Sequence, residues 1–266
     1  MKVGYGGFEG SYSLIWTIFY AFFMFFATDV VGLSPSLAGI IMMISGLGDA
    51  ISDIFTGIIT DRVNTRWGRR RPVLLGIALP YAFASWLLFT APGWGETVTV
   101  VYFAVIVIVF YTVIDFVVTP GLALGADMVL DYDECTSLGS YRTAWDIMSA
   151  IIAGSTCLLV ASYFSERFGS KTAGWSAMAA VYGFAAMFPI LLTWRSTRGY
   201  ERYREKSPGM SLVAILQAVT QNRSFLSTLG VYAFAGTSIN YLIAIGMYWF
   251  TYYFGYTEVQ MVRPEA

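Results

Sequence analysis

Seven apolar stretches, each long enough to cross a lipid bilayer as a helix, dominate this chain: 11–31, 35–60, 72–91, 98–120, 140–163, 173–194 and 225–254. A hydrocarbon core of roughly 30 Å takes about 20 helical residues to span. Inside it every backbone N–H and C=O needs an internal partner, so only helices and closed barrels cross. Barrel strands are shorter and alternate in polarity, which leaves helices and predicts an all-α membrane protein. Composition agrees: 12% of residues are charged, about half of the roughly 25% usual in soluble domains, and the mean hydropathy is +0.62. The first stretch is too long for a cleavable signal, and Glu9 with a Gly-rich start stands where a basic n-region would be.

The same inventory removes whole classes of function. Sixteen Lys and Arg balance seventeen Asp and Glu, so no net field draws the chain to nucleic acid. There is no His, hence neither the commonest general base nor the commonest zinc ligand. Cys135 and Cys157 form no CxxC and imply no disulfide framework. No nucleophile has a base beside it in a recognisable motif, so neither an enzyme nor a cofactor is expected.

Orientation follows from the basic residues. Arg62, Arg66, Arg69, Arg70 and Arg71 lie between spans two and three, and Arg195, Arg198, Arg202, Arg204, Lys206 and Arg223 between six and seven. The opposite links hold only Arg167 and Lys171. Positive charge stays inside, so the N-terminus is expected in the cytoplasm and the protein in the cell membrane. The link with Asp127, Asp131, Asp133 and Glu134 is acidic and departs from the trend, although acids weigh little in this rule.

The layout predicts a six-helix bundle at 1–194, a cytoplasmic linker at 195–224 containing Ser207-Pro208-Gly209, a seventh span at 225–254 and a tail at 255–266 ending Arg263-Pro264-Glu265-Ala266. Six spans, a long polar link and one more span read as one bundle and the first helix of a second. A truncated or split transporter whose C-terminal bundle is missing is the expectation. A seven-helix receptor fits less well, since a retinal protein would want a Lys in the last span and 225–254 has none.

The chemistry sits inside the spans. Asp49, Ser52 and Asp53 recur at i, i+3 and i+4, on one helix face. An intramembrane charge costs at least about 2.5 to 3.5 kcal/mol on the insertion scale, and carboxylates this close share a proton or bind a cation. Hard oxygen ligands favour an alkali cation over a transition metal; pairing with Arg142, or exposure to a wet crevice, is the plainer alternative. Asp115 lies mid-span three residues after Thr112, and Arg142 opens span five with Asp146 one turn on. A carboxylate accepts from paired hydroxyls, and a guanidinium donates to hydroxyls or to a carboxylate. Tyr111 and Trp145 could offer an aromatic surface to a bound solute, although aromatics more often pack or form the interface belt.

Gly57-x-x-x-Asp61-Arg62-x-x-x-x-x-Gly68-Arg69-Arg70-Arg71-Pro72 resembles the signature loop of the major facilitator superfamily. With Asp49-x-x-x-Asp53 before it, Thr28-Asp29-Val30-Val31-Gly32-Leu33, Tyr111-Thr112-Val113-Ile114-Asp115, Ala123-Leu124-Gly125-Ala126-Asp127-Met128, Asp131-Tyr132-Asp133-Glu134 and Tyr141-Arg142, the chain is similar more narrowly to the glycoside-pentoside-hexuronide:cation symporters, the family of the melibiose permease. The resemblance implies a carrier that couples sugar uptake to Na+ or H+. It places the coupling ion at Asp49, Ser52 and Asp53 with the Thr112 hydroxyl, and puts the substrate at Asp115 with Arg142 lining the same cavity. The Asp61–Arg71 loop would gate through state-dependent ion pairs of Asp61, Arg62, Arg69 and Arg70, and Gly57 would allow close approach. Topogenic charge is the plain reading of the same loop.

Four positions depart from the family pattern. Ser13 stands where a first-span acid is expected, Ser52 where Asn is typical, Ile54 where Pro is common and Cys135 where relatives often carry Arg. Small residues Gly39, Ser45, Gly46, Gly48, Gly154 and Ser155 are expected at close helix contacts. Asn222-Arg223-Ser224 matches a glycosylation triplet by chance. The rival readings are a carrier of the same fold for an amphipathic lipid or drug, and a non-transporting membrane sensor or scaffold.

Overall fold

In the computed structural model, which describes residues 1–63, 65–129, 131–200 and 220–255, each apolar stretch is a helix. A short helix α1 (Lys2–Tyr5) leads into α2 (Gly7–Phe25), which ends in a π-helical turn, Phe26–Val30. Then follow α3 (Pro35–Arg62), α4 (Arg71–Leu88), α5 (Glu96–Met128), α6 (Tyr132–Phe168), α7 (Lys171–Ser196) and α8 (Arg223–Tyr248), the last with a second π turn at Trp249–Tyr253. Six spans, from Lys2–Val30 to Lys171–Ser196, are long and apolar enough to cross a membrane. At 26 residues and about 1.5 Å per residue, α8 has the length for a seventh crossing. Most of the linker expected at 195–224, including Ser207-Pro208-Gly209, lies outside the described residues, as do the tail beyond 255 and the Ile54 side chain.

Sequence signals at the ends explain where helices start. Ser34, Asp131, Ser170 and Asn222 each accept a hydrogen bond from the backbone N–H three residues on, at 3.4, 3.2, 3.4 and 3.0 Å, satisfying donors that a helix N-terminus leaves open. Asn222 of the glycosylation-like triplet is thus a helix cap. The Asp131 cap starts α6 two turns before the apolar run at 140, so its polar first turns project beyond the membrane-length segment. Gly32, at φ +88°, follows Thr28-Asp29-Val30-Val31 and turns the chain toward α3 in a conformation that costs Gly little.

The helix α2 is the axis of the bundle, packed against α5, α6, α7 and α8, while α4 packs on α5 and α7 and α3 on α5. The core is aromatic: Phe19, Phe23, Phe26, Phe89, Phe103 and Trp175 are fully or almost fully buried and meet in stacked, tilted or edge-to-face pairs at 5.1 to 6.1 Å. Such pairs add about 0.5 to 1.5 kcal/mol beyond area burial.

Of the small residues expected at close helix contacts, Ser45 is fully buried, but the glycines mostly are not packed. Gly39, Gly46, Gly57 and Gly154 have nothing within 4 Å of where a Cβ would stand, and of the named glycines only Gly48 meets a neighbour, Ile108, at 3.3 Å. The faces of α3 and α6 that carry the others are uncovered among the described residues. The tight contacts lie at Gly6, Gly7 and Gly10, against α6 and α7, and at Gly121 and Gly125, where a Cβ would run into the Phe8 ring and the Tyr5 hydroxyl. That hydroxyl donates to the Gly121 carbonyl at 3.1 Å, pinning α1 to α5.

Candidate functional site

The α3–α5 seam brings carboxylates together. The Ser52 hydroxyl lies between the Asp49 carbonyl, 3.0 Å away, and Oδ2 of Asp115, with which it makes a short contact. One hydroxyl proton satisfies one acceptor at a time. Asp115 is buried, Asp49 half-buried and Asp53 exposed. Four residues advance a helix by about 40° beyond a full turn, which carries Asp53 off the seam and onto the uncovered face. Asp115 is nevertheless within electrostatic reach of both Asp49 and Asp53. The Thr112 hydroxyl donates to the Ile108 carbonyl at 2.9 Å, one turn from Asp115. Among the described residues no three carboxylates or thiols converge as ready-made ion ligands.

Arg142 belongs to a different group. Its Nε and Nη2 both reach Glu9 Oε2, at 2.9 and 2.8 Å, and its guanidinium lies 5.6 Å from the Phe8 ring centroid. Among the described residues Arg142 pairs with Glu9 and makes no contact with Asp115 or the Asp49–Asp53 pair, so the alternative in which those acids simply pair with Arg142 is not what the structure shows. Glu9 went unrecognised as a partner because 133 residues separate the two; the signal available was an acid within a membrane-length apolar segment. One turn on, Ser13, in place of the family acid, donates to the Asp146 carbonyl at 2.9 Å. Trp145 donates to the Val3 carbonyl at 2.8 Å and its ring fills the space beside Gly6 and Gly10. Tyr111 is buried among Trp16, Phe19 and Phe110.

At the α3–α4 loop the expected partners do meet. Asp61 pairs with Arg70 at 2.6 Å and lies 3.9 Å from Arg69, which also donates to the Asp61 carbonyl at 2.9 Å. Arg70 reaches on to Asp127 at the end of α5, 3.7 Å away, so the acidic link that broke the charge trend answers the basic loop. Arg71 donates to the Trp194 carbonyl at 2.7 and 3.1 Å and lies over that ring, tying α4 to the end of α7. Gly68, at φ +104°, supplies the left-handed turn before the arginines; Arg62 is exposed.

Residues 4–262 match the family model described as MFS/sugar transport protein. The chain is 28% identical over 94% of its length to the uncharacterized symporter YnaJ of Bacillus subtilis, covering 54% of that protein. It is 28% identical over 80% of its length to the isoprimeverose transporter of Lactiplantibacillus pentosus, covering 43%. Against the putative glycoside/cation symporter YagG of Escherichia coli it is 28% identical over 83% of its length, covering 47%. The chain thus spans about half the length of these relatives. The six membrane-length helices, the signature loop with its ion pairs and the match along nearly the whole chain agree: this chain belongs to the sugar transport family of the major facilitator superfamily.

Proposed function

We propose that this chain is the first bundle of a secondary carrier that moves a glycoside-like solute together with Na+ or H+ by alternating access, with its N-terminus in the cytoplasm. The observation that carries the reading is the α3–α5 seam, where Asp49, Ser52 and Asp115 meet in a membrane-length region, with Asp53 one turn on at the uncovered face and, among the described residues, no basic side chain in contact with them. Acids so placed are expensive, and a cation or proton is what relieves them. We infer that Asp115 serves the coupling ion with Asp49 and Asp53, because Ser52 links it to α3 while Arg142 pairs with Glu9 instead. A proton on Asp115 would let that acid donate to Ser52 and Ser52 donate to the Asp49 carbonyl, so the group can serve H+ as readily as Na+. Relatives named as an isoprimeverose transporter and a glycoside/cation symporter support a sugar as the solute. A sensor or scaffold without transport would have no use for these acids.

The Asp61–Arg70–Asp127 chain is proposed to form in one state and exchange partners in another. Asp61 is well exposed, so its bond is weak and can be remade as the helix ends move.

Uptake of a panel of labelled glycosides into vesicles containing a full-length carrier with these residues tests the reading. Accumulation above the outside concentration under an inward Na+ or H+ gradient is expected. Equal levels with and without either gradient would refute cation coupling.

A further inference from the structure

Beyond Ile41 the buried face of α3 changes character. The helix packs on α5, and from Ile41 to its end every buried side chain among the described residues carries a hydroxyl: Ser45, Ser52, Thr56 and Thr60. Ser and Thr at membrane helix seams often serve close approach, and three of these four bond carbonyls of their own helix, as such residues commonly do. Ser45 donates to Met42 at 2.7 Å, Ser52 lies 3.0 Å from the Asp49 carbonyl and Thr60 donates to Thr56 at 2.8 Å. Thr56 differs: it is 1% exposed, and its hydroxyl has no hydrogen-bond partner among the described residues. A buried hydroxyl left unpaired is costly, and a water seated in the seam is what would pair it.

The row of hydroxyls joins two charged groups. At one end Ser52 bonds Asp115, with Asp49 and Asp53 in electrostatic reach. At the other the Arg70 guanidinium donates to the Thr60 oxygen at 3.4 Å and pairs with Asp61 and Asp127. Between these ends Ser52, Thr56 and Thr60 follow one another four residues apart, about 6 Å along the helix axis. That is twice the length of a hydrogen bond and the distance a single water bridges. A hard metal cation needs several oxygen ligands at once. One hydroxyl per turn meets only the need of a proton, which passes from one donor to one acceptor at a time.

We propose that Ser52, Thr56 and Thr60, with water between them, form the path by which a proton on Asp115 leaves for the cytoplasmic end of the bundle, and that Arg70 on Thr60 is its stopper. Asp115 gives its proton to the Ser52 oxygen as Ser52 passes its own to the next water. The same relay at Thr56 and Thr60 delivers one proton to solvent, leaving Asp115 a carboxylate and each hydroxyl intact. The stopper works by charge: a guanidinium on the last oxygen occupies its lone pair and repels an arriving proton. It lifts when Arg70 exchanges partners, so release waits for the cytoplasmic end to open. This rests on the cation-coupled reading above and deepens it, naming the ion as H+ and adding Thr56 and Thr60, which no motif position names.

The test uses a full-length carrier with these residues in right-side-out vesicles loaded with a pH dye, with labelled methyl glucosides, galactosides and xylosides as solutes. Solute added outside should bring protons in. Thr56→Val and Thr60→Val keep the side-chain shape and remove the hydroxyl. Each should slow solute-driven proton entry and uphill accumulation at least tenfold, while equilibrium solute exchange, which needs no net proton release, is retained. Thr56→Ser, which restores a hydroxyl, should keep the unsubstituted rate, and Arg70→Gln should let protons enter without solute. Unchanged proton entry in either Val variant, a Thr56→Ser rate as low as that of Thr56→Val, or exchange lost in step with accumulation would make the hydroxyls packing groups and overturn the path. No proton leak in Arg70→Gln would overturn the stopper. Uphill uptake driven by Na+ with no proton entry in the unsubstituted carrier would overturn the path and leave cation coupling standing. Uptake that neither gradient drives, or movement of no probe at all, would overturn the coupled-carrier reading as well.

Discussion

Asp115 carries the sharpest test among single residues. Asp115→Asn keeps a hydrogen-bonding partner for Ser52 and removes the charge. If Asp115 serves the ion, the cation concentration for half-maximal uptake should rise at least tenfold, which is about 1.4 kcal/mol, and saturating cation should restore solute affinity. Affinity that stays low at saturating cation would instead assign Asp115 to the solute. Glu9→Gln should lower the melting point in detergent, because it leaves the partly buried Arg142 without its counter-charge. With the Arg142 side chain 30% exposed, solvent screening cuts the cost to about 1 to 2 kcal/mol. The double variant Glu9→Gln/Arg142→Gln should recover part of the loss, as expected for coupled neighbours; additive losses would show that the pair is not a unit. The acids of α3 were legible in the sequence as a cluster within one turn, but that Asp53 turns to the uncovered face while Ser52 meets Asp115 was not, because it depends on where α5 packs. Which acid Arg142 would choose was not, because only tertiary packing brings α2 and α6 together.

At the scale of elements, the helices were readable because a bilayer demands an apolar run of fixed length and because Ser34, Asp131, Ser170 and Asn222 announce the starts. Which glycines make contacts was not readable, since the choice depends on which helix faces find a neighbour. Gly121→Leu should therefore destabilise the bundle by about 1 to 3 kcal/mol through overpacking against Phe8, whereas Gly154→Ala, with open space beside it, should not. Thermal melting of the two variants decides this, and equal stabilities would contradict the α2–α5 contact. Arg70→Gln removes the link between the ends of α3 and α5. Folding should persist, because Asp61 is largely solvated, while the rate of solute exchange should change; an unaltered rate would confine Arg70 to topology.

Across the whole molecule, Arg70 meeting Asp127 and Arg71 meeting Trp194 put the α3–α4 loop, the end of α5 and the end of α7 at one end of the bundle. The positive-inside rule assigns that end to the cytoplasm. The exposed Cys135 and buried Cys157 make a native reporter: a membrane-impermeant maleimide should label Cys135 in inverted vesicles and not in right-side-out ones, and the reverse would invert the proposed orientation. The six-helix architecture and the family were legible from span lengths and the Asp61–Arg71 loop; where α8 docks was not, because a contact such as Tyr248 with Thr28 joins residues more than 200 apart. The central claim is that the α3 acids couple solute movement to a cation. The most direct measurement compares gradient-driven accumulation with equilibrium solute exchange in a full-length carrier bearing Asp49→Asn or Asp53→Asn. Cation coupling predicts that accumulation is lost while exchange, which needs no net ion flux, persists in at least one variant; accumulation that remains at the unsubstituted level in both would contradict it.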